Sequence, residues 1–324
     1  MAKISNIFSL LAMAATMSVA FASCNSSEKL EMNKRDALKE VQPVTRAVGN
    51  KTPKLTVYIE TNDINPLNAK EYYFCDTNPQ EEVIDHVILF ASNINGTANS
   101  VTLHHNENQT YILSHASTLI QPLQQKGIKV LLGILGNHTG VGFANLNATL
   151  LESFAQQIAT CVTTYGLDGV DFDDEYAKYY QAPSGLPTPS ATIYGNLIKR
   201  VKQLLPNKLV TAFYYSDGGY SLNFDSTTYN ALDYMWPNFG CNPYPPTGFP
   251  ASKWAKLSIH VDNGGTTYPI CSGIQSCVDD YFDYGAIMMF NLRQWNAANI
   301  MNCFAPYVWG RNVCWTGVSH AKNY

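Results

Sequence analysis

Five carboxylates crowd the ten residues from Leu167 to Tyr176, in a chain of 324 residues whose charged fraction is only 14%. If this run, Leu-Asp-Gly-Val-Asp-Phe-Asp-Asp-Glu-Tyr, is a strand, its alternation puts Gly169, Asp171, Asp173 and Glu175 on one side. Val170, Phe172 and Asp174 then take the other. Val170 and Phe172 suit packing against helices, so the acids point into an interior or a cleft. Gathering like charges there is costly, because each disfavours ionisation of the next and desolvation adds to the effect. A catalytic strand end accounts for such a cluster better than a calcium loop, since the acids sit on a β-like segment and not on a Gly-Asn turn.

Carboxylates in this setting suit hydrolysis of a glycosidic bond. That reaction commonly uses two carboxyls on opposite sides of the anomeric carbon, about 5 Å apart when one is a nucleophile. Asp173 and Glu175 instead project from one side of one strand, separated by roughly 6.5 Å of rise, and cannot easily flank a sugar. Another group has to attack, and the 2-acetamido oxygen of an N-acetylglucosamine substrate can do so. Glu175 is then the general acid that protonates the leaving oxygen and later the base that activates water, its pKa raised by its neighbours and by partial burial. Asp173 accepts a hydrogen bond from the acetamide N–H and stabilises the positive oxazolinium. Asp171, deeper, can share a proton with Asp173 and couple their titrations.

The run Asp168-Gly169-Val170-Asp171-Phe172-Asp173-Asp174-Glu175 resembles the DGxDxDxE signature of glycoside hydrolase family 18. Supporting stretches are Glu60 to Asn68, Leu89 to Asn95, Ile134 to His138, Asp173 to Tyr176 and Pro183-Ser184-Gly185. The similarity covers most of the chain from about residue 55 and runs to the bacterial endo-β-N-acetylglucosaminidases of the Endo H and Endo F type rather than to chitinases. It implies cleavage between the two core N-acetylglucosamines of Asn-linked glycans on glycoproteins or glycopeptides, with no cofactor. The family usually carries a tyrosine after the sixth strand to hold the acetamido oxygen, whereas this chain offers Phe239 there. Asn238 or Tyr244 would have to supply the bond. Asn137 and Trp236 are further substrate-binding candidates. A chitinase-like hydrolase and a non-catalytic surface glycan-binding protein on the same barrel are the competing readings, the latter opposed by the presence of both Asp173 and Glu175.

Eight β-like runs must position these groups: Leu55 to Glu60, Val83 to Ala91, Ile128 to Leu135, Leu167 to Glu175, Lys208 to Ser216, Leu232 to Trp236, Lys256 to His260 and Gly285 to Asn291. Apolar residues recur at helical spacing over Tyr111 to Gln125, Leu150 to Tyr165 and Ile193 to Leu205. Residues 55–324 therefore fit a single (β/α)8 TIM-type barrel, a fold of about 250 residues, with some helices short or missing. A doubly wound sheet fits less well, because no Gly-rich phosphate loop follows the first run. No internal repeat is evident.

A net charge of −4 offers no broad basic field for nucleic acid. Residues 1–23 read as an export signal: Lys3, an apolar run from Ile7 to Ala20, then Ala22-Ser23-Cys24. This resembles a lipoprotein signal in which Cys24 becomes lipidated, with Phe21 where that motif usually has Leu. Residues 24–54 are polar and read as a tether, placing the barrel on a Gram-negative bacterial membrane, at the cell surface or in the periplasm, held by a lipid anchor alone. Seven cysteines remain, an odd number that cannot all pair within one chain. Cys271 with Cys277 and Cys303 with Cys314 are candidate disulfides by proximity. No CxxC pair points to a metal site.

Overall fold

The computed structural model describes residues 51–216 and 219–324; the stretch read as an export signal, Cys24 and the expected tether as far as residue 50 lie outside the described residues. The tether as read ends at residue 54, yet its last residues already belong to the barrel. Lys51 is buried in an ion pair with Asp85, and Lys54 opens the first strand.

Eight parallel strands form the body: β1 (Lys54–Glu60), β2 (His86–Gly96), β3 (Lys129–Leu135), β4 (Gly169–Asp173), β5 (Leu209–Phe213), β6 (Tyr234–Trp236), β7 (Ala255–Asn263) and β8 (Ala286–Phe290). They pair in sequence order, β8 returns to β1, and a parallel bridge from Met235 to Trp254 joins β6 to β7. The result is a single closed (β/α)8 barrel. Both faces of its strands are covered, which is why runs such as Val130-Leu131-Leu132 are continuously apolar rather than alternating. Tyr58, Ile88, Leu131, Phe213, Trp236 and Met288 belong to the cluster that fills the interior. Val57, Leu132 and Phe172 face the helices in the larger outer core.

The two long helices follow the expected runs. Helix α4 (Ala148–Thr164) starts where Asn147 accepts from Leu150 N–H, and α5 (Ala191–Leu204) where Ser190 accepts from Ile193 N–H. The helix expected over Tyr111 to Gln125 is instead three pieces, α1 (Glu107–Ser114), α2 (Ala116–Leu119) and α3 (Gln121–Gln125). Pro122 lacks the N–H that a continuous helix needs but suits the first turn of α3. The second strand also departs from Val83 to Ala91: it runs on to Gly96 and folds back on Val101–His104 as an antiparallel hairpin.

The N-terminal rim of the barrel is held by a repeated clasp. Asp85, Asp168 and Asp233 accept hydrogen bonds from the backbone N–H groups of Leu55, Val130 and Val210 at 2.8, 3.0 and 2.8 Å. In the fourth position the Tyr281 hydroxyl accepts from Leu257 N–H and donates to Ala286 C=O. Each clasp precedes an even-numbered strand and satisfies an amide of the odd strand before it, which would otherwise be costly to bury unpaired. The repeat is one of position rather than residue type, so it leaves no repeat in the sequence. Asp168, first acid of the Leu167 to Tyr176 run, therefore serves this rim and not the other end of the barrel.

Disulfides join Cys75 to Cys314, Cys241 to Cys277 and Cys271 to Cys303, leaving Cys161 buried and free. Neither pairing expected from proximity forms. Cys271 and Cys277 are the two ends of one helix (Cys271–Cys277), which sets them about 9 Å apart along its axis, beyond the roughly 7 Å a disulfide can span. Cys303 and Cys314 take partners from other parts of the chain.

Candidate active site

The glycine of the acidic run is required by its neighbour strand. A Cβ on Gly169 would meet the Leu209 carbonyl oxygen at 2.2 Å, so no larger residue lets β4 and β5 pair as they do. From there Asp171 and Asp173 project inward, as alternation predicts. Asp171 is fully buried and accepts from Tyr58 OH and Thr211 Oγ1, both at 2.6 Å. Tyr58 in turn accepts from Trp236 Nε1 at 2.6 Å, so indole, phenol and carboxylate form one chain across the interior. Burial pushes the Asp171 pKa up to about 6 although both hydroxyls oppose the shift. Asp173, one level nearer the mouth, is raised well above the usual carboxylate range by burial and then by the charges of Glu175, Asp171 and Asp174. Its Oδ1 is buried with no hydrogen-bond partner among the described residues.

The strand ends at Asp173, two residues short of the expected Glu175. Asp174 takes the side of Val170 and Phe172, as alternation predicts, and its partners belong to or pack against the outer core. It is buried and accepts from Tyr179 OH at 2.6 Å and Tyr220 OH at 2.5 Å, tying together the loops that follow β4 and β5. Glu175 thus sits on a loop whose backbone is held by the loop after β3. Gly136, His138 and Gly140 donate their N–H groups to the carbonyls of Glu175, Tyr176 and Ala177 at 3.0, 2.7 and 2.9 Å. Gly136 permits this approach, because a Cβ there would lie 2.3 Å from the Glu175 carbonyl oxygen.

Asp173 and Glu175 open onto a cavity of about 330 Å³ at the C-terminal mouth of the barrel. Tyr58, Glu60, Tyr176, Asn238 and His260 supply its other polar groups, while Phe90, Phe213, Phe239 and Phe290 dominate the walls. Glu60 and His260 went unrecognised as site residues in the sequence. Glu60 ends β1, and His260 is the first ionisable side chain after Leu257-Ser258-Ile259 in β7, a signal that marks residues near the mouth. Burial raises the Glu60 pKa, helped by Asp63 and opposed by Arg293.

The remaining candidates divide. Asn238 and Phe239 line the cavity. Trp236 does not, being wholly buried beneath it on Tyr58. Asn137 is also absent from the lining, its amide donating to Asn95 Oδ1 at 2.7 Å. Tyr244 is 88% exposed and off the cavity, so its hydroxyl does not stand in for the one Phe239 lacks.

Residues 54–236, more than half of the chain, match the glycosyl hydrolases family 18. The chain belongs to family 18. This family 18 chain is 43% identical over 285 residues to endo-beta-N-acetylglucosaminidase F1 of Elizabethkingia meningoseptica, covering 84% of itself and 82% of that protein. With an endo-beta-N-acetylglucosaminidase of Flavobacterium sp. (strain SK1022) it shares 33% identity over 263 residues, or 80% and 81% of the two chains. The solved EndoBT-3987 of Bacteroides thetaiotamicron, with a Man5GlcNAc product, superposes at a TM-score of 0.72 and 30% identity, covering 85% of this chain. The family 18 chain spans 65% of that protein's length. Its mouth combines a buried acid pair whose pKa values are raised with a half-buried glutamate on a braced loop, an arrangement able to give a proton to a leaving oxygen and to steady positive charge on one side of a sugar.

Proposed function

We propose that this hydrolase is an endo-β-N-acetylglucosaminidase that cuts between the two core N-acetylglucosamines of Asn-linked glycans by substrate-assisted, retaining catalysis. The observation that carries the reading is that Asp173 and Glu175 open onto one cavity from the same strand end, with Asp173 Oδ1 lacking a hydrogen-bond partner among the described residues. Asp173 accepts the acetamide N–H and turns the acetamide oxygen toward C1. That oxygen attacks as the C1–O bond to the second sugar breaks, and Glu175 gives its proton to the departing oxygen. The oxazolinium so formed is neutralised by nearby Asp173. Glu175 then takes a proton from water as it adds to C1, which restores the acetamide and the acid. Asp171, held by its two hydroxyl partners, raises the Asp173 pKa by its charge and can share a proton with it, which couples their titrations. The names of the two relatives and the product bound to EndoBT-3987 support the same substrate class.

Incubation with a high-mannose glycoprotein, followed by mass spectrometry, tests the proposal. A protein product retaining a single N-acetylglucosamine is expected, and Glu175→Gln should lower turnover by about 10²–10⁴-fold while glycan binding persists. Intact glycoprotein with measurable glycan binding would instead make the barrel a lectin, and release of short oligomers from chitin would make it a chitinase.

We further propose that residues 1–23 direct export and that Cys24 carries the lipid anchor to a bacterial membrane. Metabolic labelling with a fatty acid, lost in Cys24→Ser, is the expected result. Unlabelled protein in the medium would mean ordinary secretion.

A further inference from the structure

The cavity needs a hydrogen-bond donor for the acetamide oxygen, and its wall offers few. The Glu175 proton is committed to the leaving oxygen, Asp173 is the acceptor for the acetamide N–H, and the phenyl rings neither donate nor accept. Of the remaining groups, Tyr58 OH already donates to Asp171, while Asn238 and Tyr176 are exposed at the rim. His260 is left. It pairs with Phe290 in the β7–β8 ladder, and its ring lies 4.8 Å from that of Phe239 and 5.1 Å from that of Phe290. Nδ1 is buried without a hydrogen-bond partner among the described residues, so Nε2 is the nitrogen that can reach the cavity.

Resting on the reading above, we infer that His260 donates its Nε2–H to the acetamide oxygen of the reacting sugar, filling the role that Phe239 cannot. Burial holds the imidazole pKa below its usual value, Asp262 opposing, so the ring is neutral at neutral pH and has one N–H to give. With Asp173 accepting from the acetamide nitrogen and His260 donating to its oxygen, both ends of the group are fixed before attack.

The test compares His260→Leu, which fills the space without a donor, with His260→Gln, whose amide nitrogen can stand near Nε2. On a high-mannose glycopeptide, Leu should lower kcat by about 10²-fold with a smaller change in KM, and Gln should stay within roughly tenfold of the parent. Adding Phe239→Tyr to the Leu variant should recover part of the loss. Equal kcat in the Leu variant and parent, or equal losses in Leu and Gln variants that melt like the parent, would overturn the assignment. If the variants do not fold, the unsubstituted protein decides: a glycan ending in one N-acetylglucosamine should shift the His260 Nε2 resonance, and an unmoved resonance on saturation refutes the contact. A parent that cleaves while these tests fail loses only the histidine's role; a parent that leaves glycoprotein intact refutes the function itself.

Discussion

Replacing Asp171 with Asn should change how the stability of the barrel depends on pH. The folded protein raises the Asp171 pKa from about 3.8 to about 6, so between those values the folded state binds more protons than the unfolded chain. Stability from this group is therefore fully present below about pH 4 and is lost as pH rises through about 6. The shift of roughly two units corresponds to about 3 kcal/mol, and complete burial leaves no solvent screening to reduce it. An asparagine cannot ionise, so its variant lacks that loss. It will also misalign with Tyr58 and Thr211, but that penalty does not vary with pH over this window. The difference in unfolding free energy between variant and parent should accordingly move in the variant's favour by about 3 kcal/mol between pH 4 and pH 8. Removing the Asp171 charge also lessens the upward push on Asp173, a change of the same sign. Urea unfolding at both pH values, with disulfides intact, measures it. Parallel pH profiles would refute a buried, proton-retaining Asp171.

Three other measurements bear on the site and its frame. Glu60→Gln should cost less than about tenfold in turnover, because the attacking group belongs to the substrate; a loss as large as that of Glu175→Gln would make Glu60 the nucleophile of an ordinary carboxylate pair. Gly169→Ala should destabilise by about 3 kcal/mol, seen as a lower denaturant midpoint, since its methyl meets a backbone carbonyl that cannot swing aside. An unchanged midpoint would mean β4 and β5 separate freely. Asp168→Ala should cost about 1–3 kcal/mol by leaving Val130 N–H unpaired, without altering kcat.

Much of this was legible because strand periodicity is local. Asp171 and Asp173 turn inward as alternation requires, and the eight runs become the eight barrel strands. What alternation does not give is depth along the barrel axis. Trp236 and Asp173 both face inward, yet Trp236 lies at the level of Tyr58 and Asp171, beneath the cavity. Glu175 reaches the cavity although its strand has ended, because a loop some forty residues earlier holds its backbone. Glu60 and His260 become site residues only when β1 and β7 curl round to face β4, and the disulfides likewise depend on loop packing that spacing does not express.

The clasps at the N-terminal rim divide the molecule into quarters, each a pair of neighbouring strands pinned at its base. Gly127 and Gly166 are matched places to cut, both with positive φ and open space where a Cβ would be. A nick at Gly127 falls between quarters and leaves each clasp within one fragment. A nick at Gly166 parts Asp168 from Val130 and splits a quarter in two. Fragments from the first cut should reassemble the more readily, so the modular seams of this barrel run between strand pairs and not after every strand.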